Sequence, residues 1–279
     1  MREIDVKEIT KAVQDMCISV NYKLSSDMEE KLSTAVDKEE SELGKKILLQ
    51  LKENLEIAEQ EQIPICQDTG MAVVFLEIGQ EVHFVGGSLE EAVHSGVKAA
   101  YEEGYLRKSV VGDPIERVNT KDNTPAVIHY SIVPGNQVKI TVGPKGFGSE
   151  NMSRVFMLKP ADGLDGVKNA IVTAVADAGP NACPPMVIGV GVGGTFEKAA
   201  LMAKEALVKH PDENRPQWAK DAEVELLEKI NGLGIGPGGL GGRMTALAVN
   251  IRTYATHIAG LPVAVNICCH VNRHMEKVL

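Results

Sequence analysis

The first sixty residues carry apolar side chains at steps of three and four, which is the spacing of one face of an amphipathic helix. One series runs from Val6 to Val20, and another runs from Leu43 to Ala58. Pro64 ends the second series, because the residue before a proline is disfavoured in helical backbone. This pattern predicts a helical N-terminal layer over residues 1–62.

The apolar spacing changes from that of helices to that of strands after residue 70. Three runs have the length and apolar content of buried strands, namely residues 71–78, 186–192 and 261–269. Residues 126–133 and 137–142 are also β-like, and a Pro-Gly-Asn loop separates them. Two such runs joined by a short turn-forming loop predict an antiparallel hairpin.

Helical patterns also occur between the predicted strands. Ser88 and Glu91 have the spacing of a capping box, which predicts the start of a helix that ends near Tyr105. Further helices are predicted at residues 165–177, 196–209 and 218–230. We therefore predict an α+β fold, in which the helical N-terminal layer packs on a mixed, partly antiparallel sheet, as one domain over residues 1–279.

Composition narrows the functional classes. The 279 residues include 38 acidic and 29 basic side chains, which give a formal charge of −9 and argue against a general nucleic-acid binder. No apolar run approaches the roughly 20 residues that a membrane-spanning helix needs. The N-terminus lacks the apolar region of a signal peptide. We therefore expect a cytoplasmic protein with no membrane and no nucleic-acid partner.

Two glycine-rich segments match the spacing of a dinucleotide-binding loop. Residues 189–194 read Gly-Val-Gly-Val-Gly-Gly, and a second match lies within residues 232–242. One interpretation is an NAD(P)-dependent oxidoreductase. The other is close backbone packing, or turns that need positive φ angles. Two matches in one glycine-rich chain reduce the specificity of each.

A third loop, residues 144–151, follows a predicted strand. It is small, polar and rich in glycine. Such loops let backbone N–H groups approach a phosphate or a carboxylate. An ordinary surface loop has the same composition, so both interpretations remain open.

The chain has five cysteines, and disulfides are not expected in the cytoplasm. Cys17 lies on the apolar face of the first predicted helix, which indicates packing. Cys66 is followed at once by an amide, a carboxylate and a hydroxyl, which indicates a site, although a structural cysteine remains an alternative. Cys183 lies between prolines in a stiff turn.

The last two cysteines are adjacent on a predicted strand. Side chains alternate along a strand, so Cys268 and Cys269 point to opposite faces, and we expect one ligand and one bystander. Three cysteines borne on turns, namely Cys66, Cys183 and one of this pair, could converge to hold an iron–sulfur cluster. Such a cluster would leave one iron open as a Lewis acid.

Three segments together resemble the class I, iron–sulfur fumarate hydratases. They are Ile-Pro-Ile-Cys-Gln-Asp-Thr-Gly at 63–70, Asn-Ala-Cys-Pro-Pro at 181–185 and Asn-Ile-Cys-Cys-His at 266–270. The resemblance is to the alpha subunit of the two-subunit form, and the alpha subunit of L-tartrate dehydratase shares this pattern. It spans nearly the whole chain and includes residues 145–151 and 189–195.

The resemblance implies a [4Fe–4S] cluster on Cys66, Cys183 and Cys269. Cys269 is preferred to Cys268 because family members carry another residue at the position of Cys268. The resemblance also implies that Gln67 and Asp68 lie beside the cluster, where they hold substrate and transfer protons.

The remaining implied site residues come from three other segments. Arg107 resembles the arginine that binds a substrate carboxylate, and its alternative is a solvated cation at a helix end. His257 resembles the active-site histidine, which the partner protomer supplies in the single-chain enzymes, and its alternative is a core histidine. The backbone at Gly146, Gly148 and Ser149 resembles a substrate-contacting segment. Asp68 has its own alternative as a turn-forming residue.

The activity implied by the resemblance is reversible hydration of fumarate to L-malate, with dehydration of L-tartrate to oxaloacetate as the alternative. Further substrate-binding residues of the family are absent from this chain, which implies a separate beta subunit and a dimer of heterodimers. Two classes outside the family remain as alternatives, the NAD(P)-dependent oxidoreductase and a non-catalytic scaffold subunit.

Overall fold

The computed structural model describes residues 1–279, and it contains helices and mixed sheets as predicted for an α+β fold. The helices are α1 (Val6–Tyr22), α2 (Ser26–Lys38), α3 (Glu42–Glu61), α4 (Leu89–Glu103), α5 (Phe147–Glu150), α6 (Gly163–Ala178), α7 (Phe196–Val208) and α8 (Gln217–Asn231). The strands are β1 (Arg2–Asp5), β2 (Met71–Gly79), β3 (Val82–Val85), β4 (Val127–Val133), β5 (Val138–Lys145), β6 (Arg154–Leu158), β7 (Met186–Gly193), β8 (Ala246–Tyr254), β9 (Leu261–Cys268) and β10 (Met275–Val278).

The chain packs as two compact units, each assembled from separate stretches of sequence. The first unit comprises Met1–Ser25, Asn54–Phe147 and Arg273–Leu279, and the second comprises Ser26–Glu53 and Gly148–Asn272. The two predicted N-terminal helices form as α1 and α3, and an unpredicted helix, α2, lies between them in sequence. Helix α1 belongs to the first unit and α2 to the second, and α3 passes from the second to the first. The single domain over 1–279 stays a prediction. None of the helices is both long and apolar enough to span a membrane.

The first unit is built on a four-stranded sheet in the order β10-β5-β2-β4. Helices α1 and α4 pack on each other, and their apolar faces share one core with β2 and β5. Ser88 caps α4 as predicted, because its hydroxyl accepts the N–H of Glu91 at 3.4 Å. This core fixes the start of β2, which the Cys66 segment precedes in the chain.

The predicted hairpin of residues 126–133 and 137–142 is wrong. Both strands form, as β4 and β5, but β2 lies between them, antiparallel to β5 and parallel to β4. The turn instead passes over the end of β2, where the N–H of Gly79 donates to Gln137 O at 2.8 Å. A Cβ at Gly79 would lie 2.5 Å from Gly135 O, so only glycine permits this approach. A nearly fully buried strand such as β2 needs hydrogen-bond partners on both edges, which explains its central position.

The second unit has a sheet in the order β6-β9-β7-β8, with β7 parallel to β8 and antiparallel to β9. Helices α6 and α8 share a core with one face of β7, which includes Ile188 and Val190. Helix α7 packs on β7 and β9 through small residues, among them Ala199 and Ala203. The strand β9 is buried along nearly its whole length and delivers Cys268 and Cys269 at its end.

The glycines at 189 and 191 are explained by packing. Both lie inside β7, and a Cβ would lie 2.2 Å from Ala203 O at the first position and 2.1 Å from Ala199 O at the second. Their absence of side chains lets the backbone of α7 approach the sheet closely. A dinucleotide-binding loop would place its glycines in the turn after the strand, so the match at residues 189–194 does not indicate a nucleotide site.

A buried carboxylate holds one end of the other glycine-rich segment. Glu39 is 2% exposed and accepts four backbone N–H groups, those of Glu40, Ser41, Arg243 and Met244, at 2.7–2.9 Å. Burial raises the pKa of the Glu39 carboxyl, but the four donors outweigh it and the net pKa is lowered. Glu39 therefore serves as an ionised anchor that ties the turn between α2 and α3 to the segment that follows residue 242.

Candidate active site

The segment that carries Cys66 lies between α3 and β2 and is fixed through its backbone. The N–H of Ile65 donates to Asn21 O at 2.8 Å, and the side chain of Asn54 donates to Ile65 O at 2.9 Å. Cys66 itself is half-buried, with its Sγ 3.7 Å from Oε1 of the exposed Gln67. The Cys66 thiol and the Gln67 amide therefore lie together at the surface, on a backbone segment that the hydrogen bonds of Ile65 hold in place.

Asp68 is held at three points. Its Oδ1 accepts the N–H of Gly70 at 3.1 Å, its Oδ2 accepts the N–H of Phe147 at 2.9 Å, and its main-chain oxygen accepts a hydrogen bond from Nη2 of Arg273. The first bond is the turn that was the alternative interpretation of Asp68. The second joins it to the predicted Gly146 segment, where a Cβ at Gly146 would lie 3.0 Å from Oδ2. Each carboxylate oxygen keeps a lone pair for a further proton or hydrogen bond.

Arg107 is tied to the same segment through its main chain. The hydroxyl of Thr69 donates to Arg107 O at 3.1 Å, while the Arg107 side chain is exposed. The buried Tyr101 hydroxyl lies 2.8 Å from Thr69 O and 2.9 Å from Gly70 O. Burial raises the pKa of Tyr101, which keeps this hydroxyl protonated as a donor. The first unit thus brings together Cys66, Gln67, Asp68, Gly146 and the backbone of Arg107.

The second unit brings Cys183 together with the end of β9. Cys183 is exposed and has a left-handed φ of 53° in the turn after α6. Its main-chain oxygen lies 3.2 Å from Nδ1 of His270, and since that oxygen only accepts, the ring carries a proton on Nδ1. Cys268 is buried at the end of β9, whereas Cys269 is half-buried just beyond it.

Gly148 and Ser149 lie in α5, which begins directly after the glycine of the predicted loop. This helical turn is tied to β9 through Glu150, whose carboxylate accepts hydrogen bonds from Lys204 and, at 2.7 Å, from Asn266. Asn266 lies two positions before Cys268 on β9. The loop of residues 144–151 is therefore an anchored structure and not a loose surface loop.

His257 is exposed in the segment after β8, so the alternative of a core histidine is wrong. Its Nδ1 accepts the N–H of Ala259 at 3.2 Å, which leaves the proton of the neutral ring on Nε2. It lines a pocket of about 420 Å³ with Trp218, Ile258 and other mainly apolar residues of the second unit. No other predicted site residue lines this pocket.

A family model described as fumarate hydratase (fumerase) matches residues 10–278. The chain belongs to this fumarate hydratase family. A protein of Methanocaldococcus jannaschii, provisionally named L(+)-tartrate dehydratase subunit alpha, is 43% identical over 261 residues, which are 91% of each chain. L(+)-tartrate dehydratase subunit alpha from Escherichia coli K12 and from Shigella sonnei are both 30% identical over 273 residues, which are 96% of this chain and 89% of theirs. The predicted family and hydro-lyase class are confirmed, and the roles of single residues stay predictions.

The cysteines of this fumarate hydratase family member fit an iron–sulfur cluster by their chemistry. None of them is in a disulfide. Cys17 is fully buried, and burial raises the pKa of its thiol to about 12, so it cannot supply a thiolate. Cys66, Cys183 and Cys269 each reach the surface of their unit. Cys66 belongs to the first unit and the other two to the second, and neither unit by itself gathers three metal-binding side chains.

Sequence reasoning missed two buried cations beside Asp68. Arg273 is 3% exposed and contacts the main chain of Asp68, and Lys145 is 5% exposed with its Nζ 3.2 Å from Gly146 O. Arg273 lies 205 positions from Asp68 in sequence, so no local pattern could have connected them. Lys145 belongs to the loop of residues 144–151, but its burial could not be read from that loop, because it follows from the place of Lys145 at the end of β5.

Proposed function

We propose that this chain is the alpha subunit of a [4Fe–4S] hydro-lyase that removes water from, or adds water to, a four-carbon dicarboxylate. Dehydration of L(+)-tartrate to oxaloacetate and water is the first candidate, favoured by the names of the relatives. Hydration of fumarate to L-malate is the second, favoured by the description of the family model. The observation that carries the proposal is the placement of Asp68 two residues after Cys66, with its carboxylate held by the N–H groups of Gly70 and Phe147.

Three thiols would hold the cluster, those of Cys66, Cys183 and Cys269. When bound, the cluster supplies a Lewis acid that makes hydroxide a better leaving group and a better nucleophile near neutral pH. Cys269 is the better third ligand because its side chain is half-buried, whereas Cys268 is buried at the end of β9.

Substrate binding is assigned to donors at the surface of the site. The exposed guanidinium of Arg107 is suited to a bidentate bond with one carboxylate. The amide of Gln67 is exposed next to the Cys66 thiol and can orient the same dianion. Gly146 and Gly148 have no side chain to block close approach of a substrate to the backbone, which continues into Ser149.

Asp68 is the proposed proton-transfer group. In the dehydration direction it accepts the proton from the carbon next to the one that loses hydroxide, and the adjacent substrate carboxylate accommodates the charge. A positioned group of this kind contributes about 10²–10⁴ in rate. His257 is the second proposed proton-transfer residue, through Nε2 of its exposed ring.

A separate beta subunit completes the proposal. The relatives are named as alpha subunits. We therefore expect a dimer of heterodimers in which the chain alone has essentially no turnover.

The test is anaerobic reconstitution of the chain with iron and sulfide, with and without its beta subunit. Assays then compare L(+)-tartrate, the other tartrates, fumarate and L-malate. The proposal expects turnover only in the two-subunit assembly, fastest with L(+)-tartrate. Turnover by the isolated chain would refute the need for a partner. Absence of any dehydration or hydration by the assembly, or a nicotinamide cofactor in the purified protein, would refute the proposed reaction. A substrate-induced change in the cluster's EPR spectrum would exclude a scaffold role.

A further inference from the structure

Arg273 is a buried guanidinium that hydrogen-bonds a main-chain oxygen. It precedes β10 in the first unit, is 3% exposed, and donates from Nη2 to Asp68 O. Its Nε and Nη1 are also buried and have no hydrogen-bond partner. A buried donor left unsatisfied keeps the full cost of its desolvation, and this cost is larger for a charged group. Packing alone therefore does not explain why a guanidinium is buried in this position.

The contact leaves the Asp68 carboxylate available. Arg273 bonds the main-chain oxygen of Asp68, while Oδ1 and Oδ2 are engaged by the N–H groups of Gly70 and Phe147. Its Nη2 lies 3.9 Å from the position of a Cβ at Gly146. The cation is thus next to the carboxylate without neutralising it in an ion pair.

Lys145 makes the matching contact on the other side. Its Nζ lies 3.2 Å from Gly146 O, and the residue is 5% exposed. The hydrogen bond from Phe147 N–H to Asp68 Oδ2 therefore joins two backbone segments. Arg273 binds the main-chain oxygen of Asp68 on one segment, and Lys145 binds that of Gly146 on the other. Neither cation is among the site residues that the family resemblance implies.

We propose that Arg273 is a positioning residue that fixes the Cys66–Asp68 segment, with Lys145 fixing the facing Gly146 segment. Arg273 holds the Asp68 main chain so that the carboxylate stays at the Phe147 N–H. Its remaining positive charge would offset the negative charge of a Cys66 thiolate and of a bound dicarboxylate under the proposed function. The catalytic part of this inference rests on the proposed function, whereas the structural part does not.

The structural part is tested by hydrogen exchange on the full chain. We compare wild type, Arg273→Lys, Arg273→Gln and the control Arg117→Gln, which alters an exposed arginine that also donates to a main-chain oxygen. We expect Arg273→Gln to speed exchange at least tenfold in peptides covering residues 63–70 and 143–150, and Arg273→Lys to do so less. Peptides from β2 and the Arg117→Gln protein should exchange as in wild type.

Two results would overturn this part. Unchanged exchange at 63–70 in both Arg273 variants would mean that Arg273 does not hold the segment. Equal acceleration throughout β2 would mean that Arg273 supports the fold generally. If Arg273→Gln does not fold, Arg273→Lys decides between these results, because lysine keeps the positive charge and can still donate a hydrogen bond.

The catalytic part is tested on the reconstituted two-subunit assembly. Positioning predicts that Arg273→Lys lowers kcat about 10- to 100-fold while KM changes less than about threefold, and that Arg117→Lys changes neither. Wild-type kinetics in Arg273→Lys would refute a positioning role. An inactive wild-type assembly would refute the proposed reaction instead, and the exchange experiment would still decide whether Arg273 holds the segment.

Discussion

The Oδ2 of Asp68 lies 2.9 Å from the backbone nitrogen of Phe147, across 79 positions of sequence. The sequence suggested that backbone N–H groups of residues 144–151 could approach an anion. Within the first unit, that anion is the carboxylate of the chain's own Asp68. This bond places a proposed proton-transfer group against a glycine-containing backbone segment, and its consequences are open to measurement.

Replacing Asp68 by Asn should lower kcat of the two-subunit assembly by about 10²–10⁴, because an amide cannot accept the substrate proton. It should also weaken one of the two backbone bonds, since an amide has only one oxygen to accept them. Steady-state kinetics with L(+)-tartrate and fumarate measure the effect.

The matched control is Asp113→Asn. Asp113 also accepts two backbone N–H groups, at 2.8 Å each, in an exposed turn of the same unit. It should keep wild-type kinetics. A value of kcat for Asp68→Asn within threefold of wild type would show that Asp68 is only a turn residue.

The cysteines should separate into two classes on iron binding. Cys66→Ser, Cys183→Ser and Cys269→Ser should each lose the iron, sulfide and visible absorbance of the reconstituted protein. Cys268→Ala, which changes the buried neighbour, should retain them. Loss in Cys268→Ala together with retention in Cys269→Ser would reassign the third ligand.

Arg107→Lys should raise KM for a dicarboxylate about tenfold or more, because a lysine cannot form the bidentate bond of a guanidinium. Lys108→Arg alters the adjacent exposed cation and should leave KM unchanged. Equal KM values in both variants would leave Arg107 as a solvated surface residue.

The Glu39 anchor predicts a pH-dependent stability. The pKa of Glu39 in the folded chain is lowered from 4.5, so its stabilisation is complete above that value and is lost as the pH falls through the folded-state pKa. Glu39→Gln should lower the free energy of unfolding at pH 7 by about 1–3 kcal/mol. The difference from wild type should shrink as the pH falls below about 4.5 and through the lowered pKa of the folded chain.

Urea unfolding at several pH values measures this difference, with Glu40→Gln as the control. Glu40 is the adjacent, exposed carboxylate and accepts none of the four backbone donors. A difference between wild type and Glu39→Gln that is constant with pH would contradict an ionised anchor.

Gly191→Ala should destabilise the chain by about 3 kcal/mol, since its Cβ would lie 2.1 Å from a backbone oxygen of α7 that cannot move cheaply. Gly112→Ala is the control, because its Cβ would meet nothing closer than 3.8 Å. Thermal unfolding should show a lower Tm only for the first. Equal Tm values would mean that α7 can move away from the sheet.

Periodicity predicted the longer elements well. The runs at 71–78, 186–192 and 261–269 are β2, β7 and β9, and the six predicted helices lie within a few residues of α1, α3, α4, α6, α7 and α8, whereas α2 was not predicted. The short strands β1, β3, β6 and β10 were missed because four or five residues carry too little pattern. β8 was missed although it is nine residues long and mostly buried.

The hairpin error and the missed cations share a cause. The Pro-Gly-Asn turn was identified correctly, but a turn signal does not say whether another strand lies between its two neighbours, as β2 does. The polar group after Cys66 was recognisable because its members are adjacent. Arg273 was not, because only β10 pairing with β5 brings its segment to Asp68.

The position of Arg273 also has a consequence for biosynthesis. The strand β10 and the guanidinium that reaches Asp68 come from residues 273–279, while the Cys66 segment is made about two hundred residues earlier. Until residue 273 and β10 have been made, a nascent chain therefore carries the Cys66 segment on an incomplete sheet and without the Arg273 contact. If the proposed cluster is bound by this chain, iron and sulfide delivered before residue 273 has been made would meet a segment that lacks its Arg273 contact, so we expect insertion to follow synthesis of residue 273.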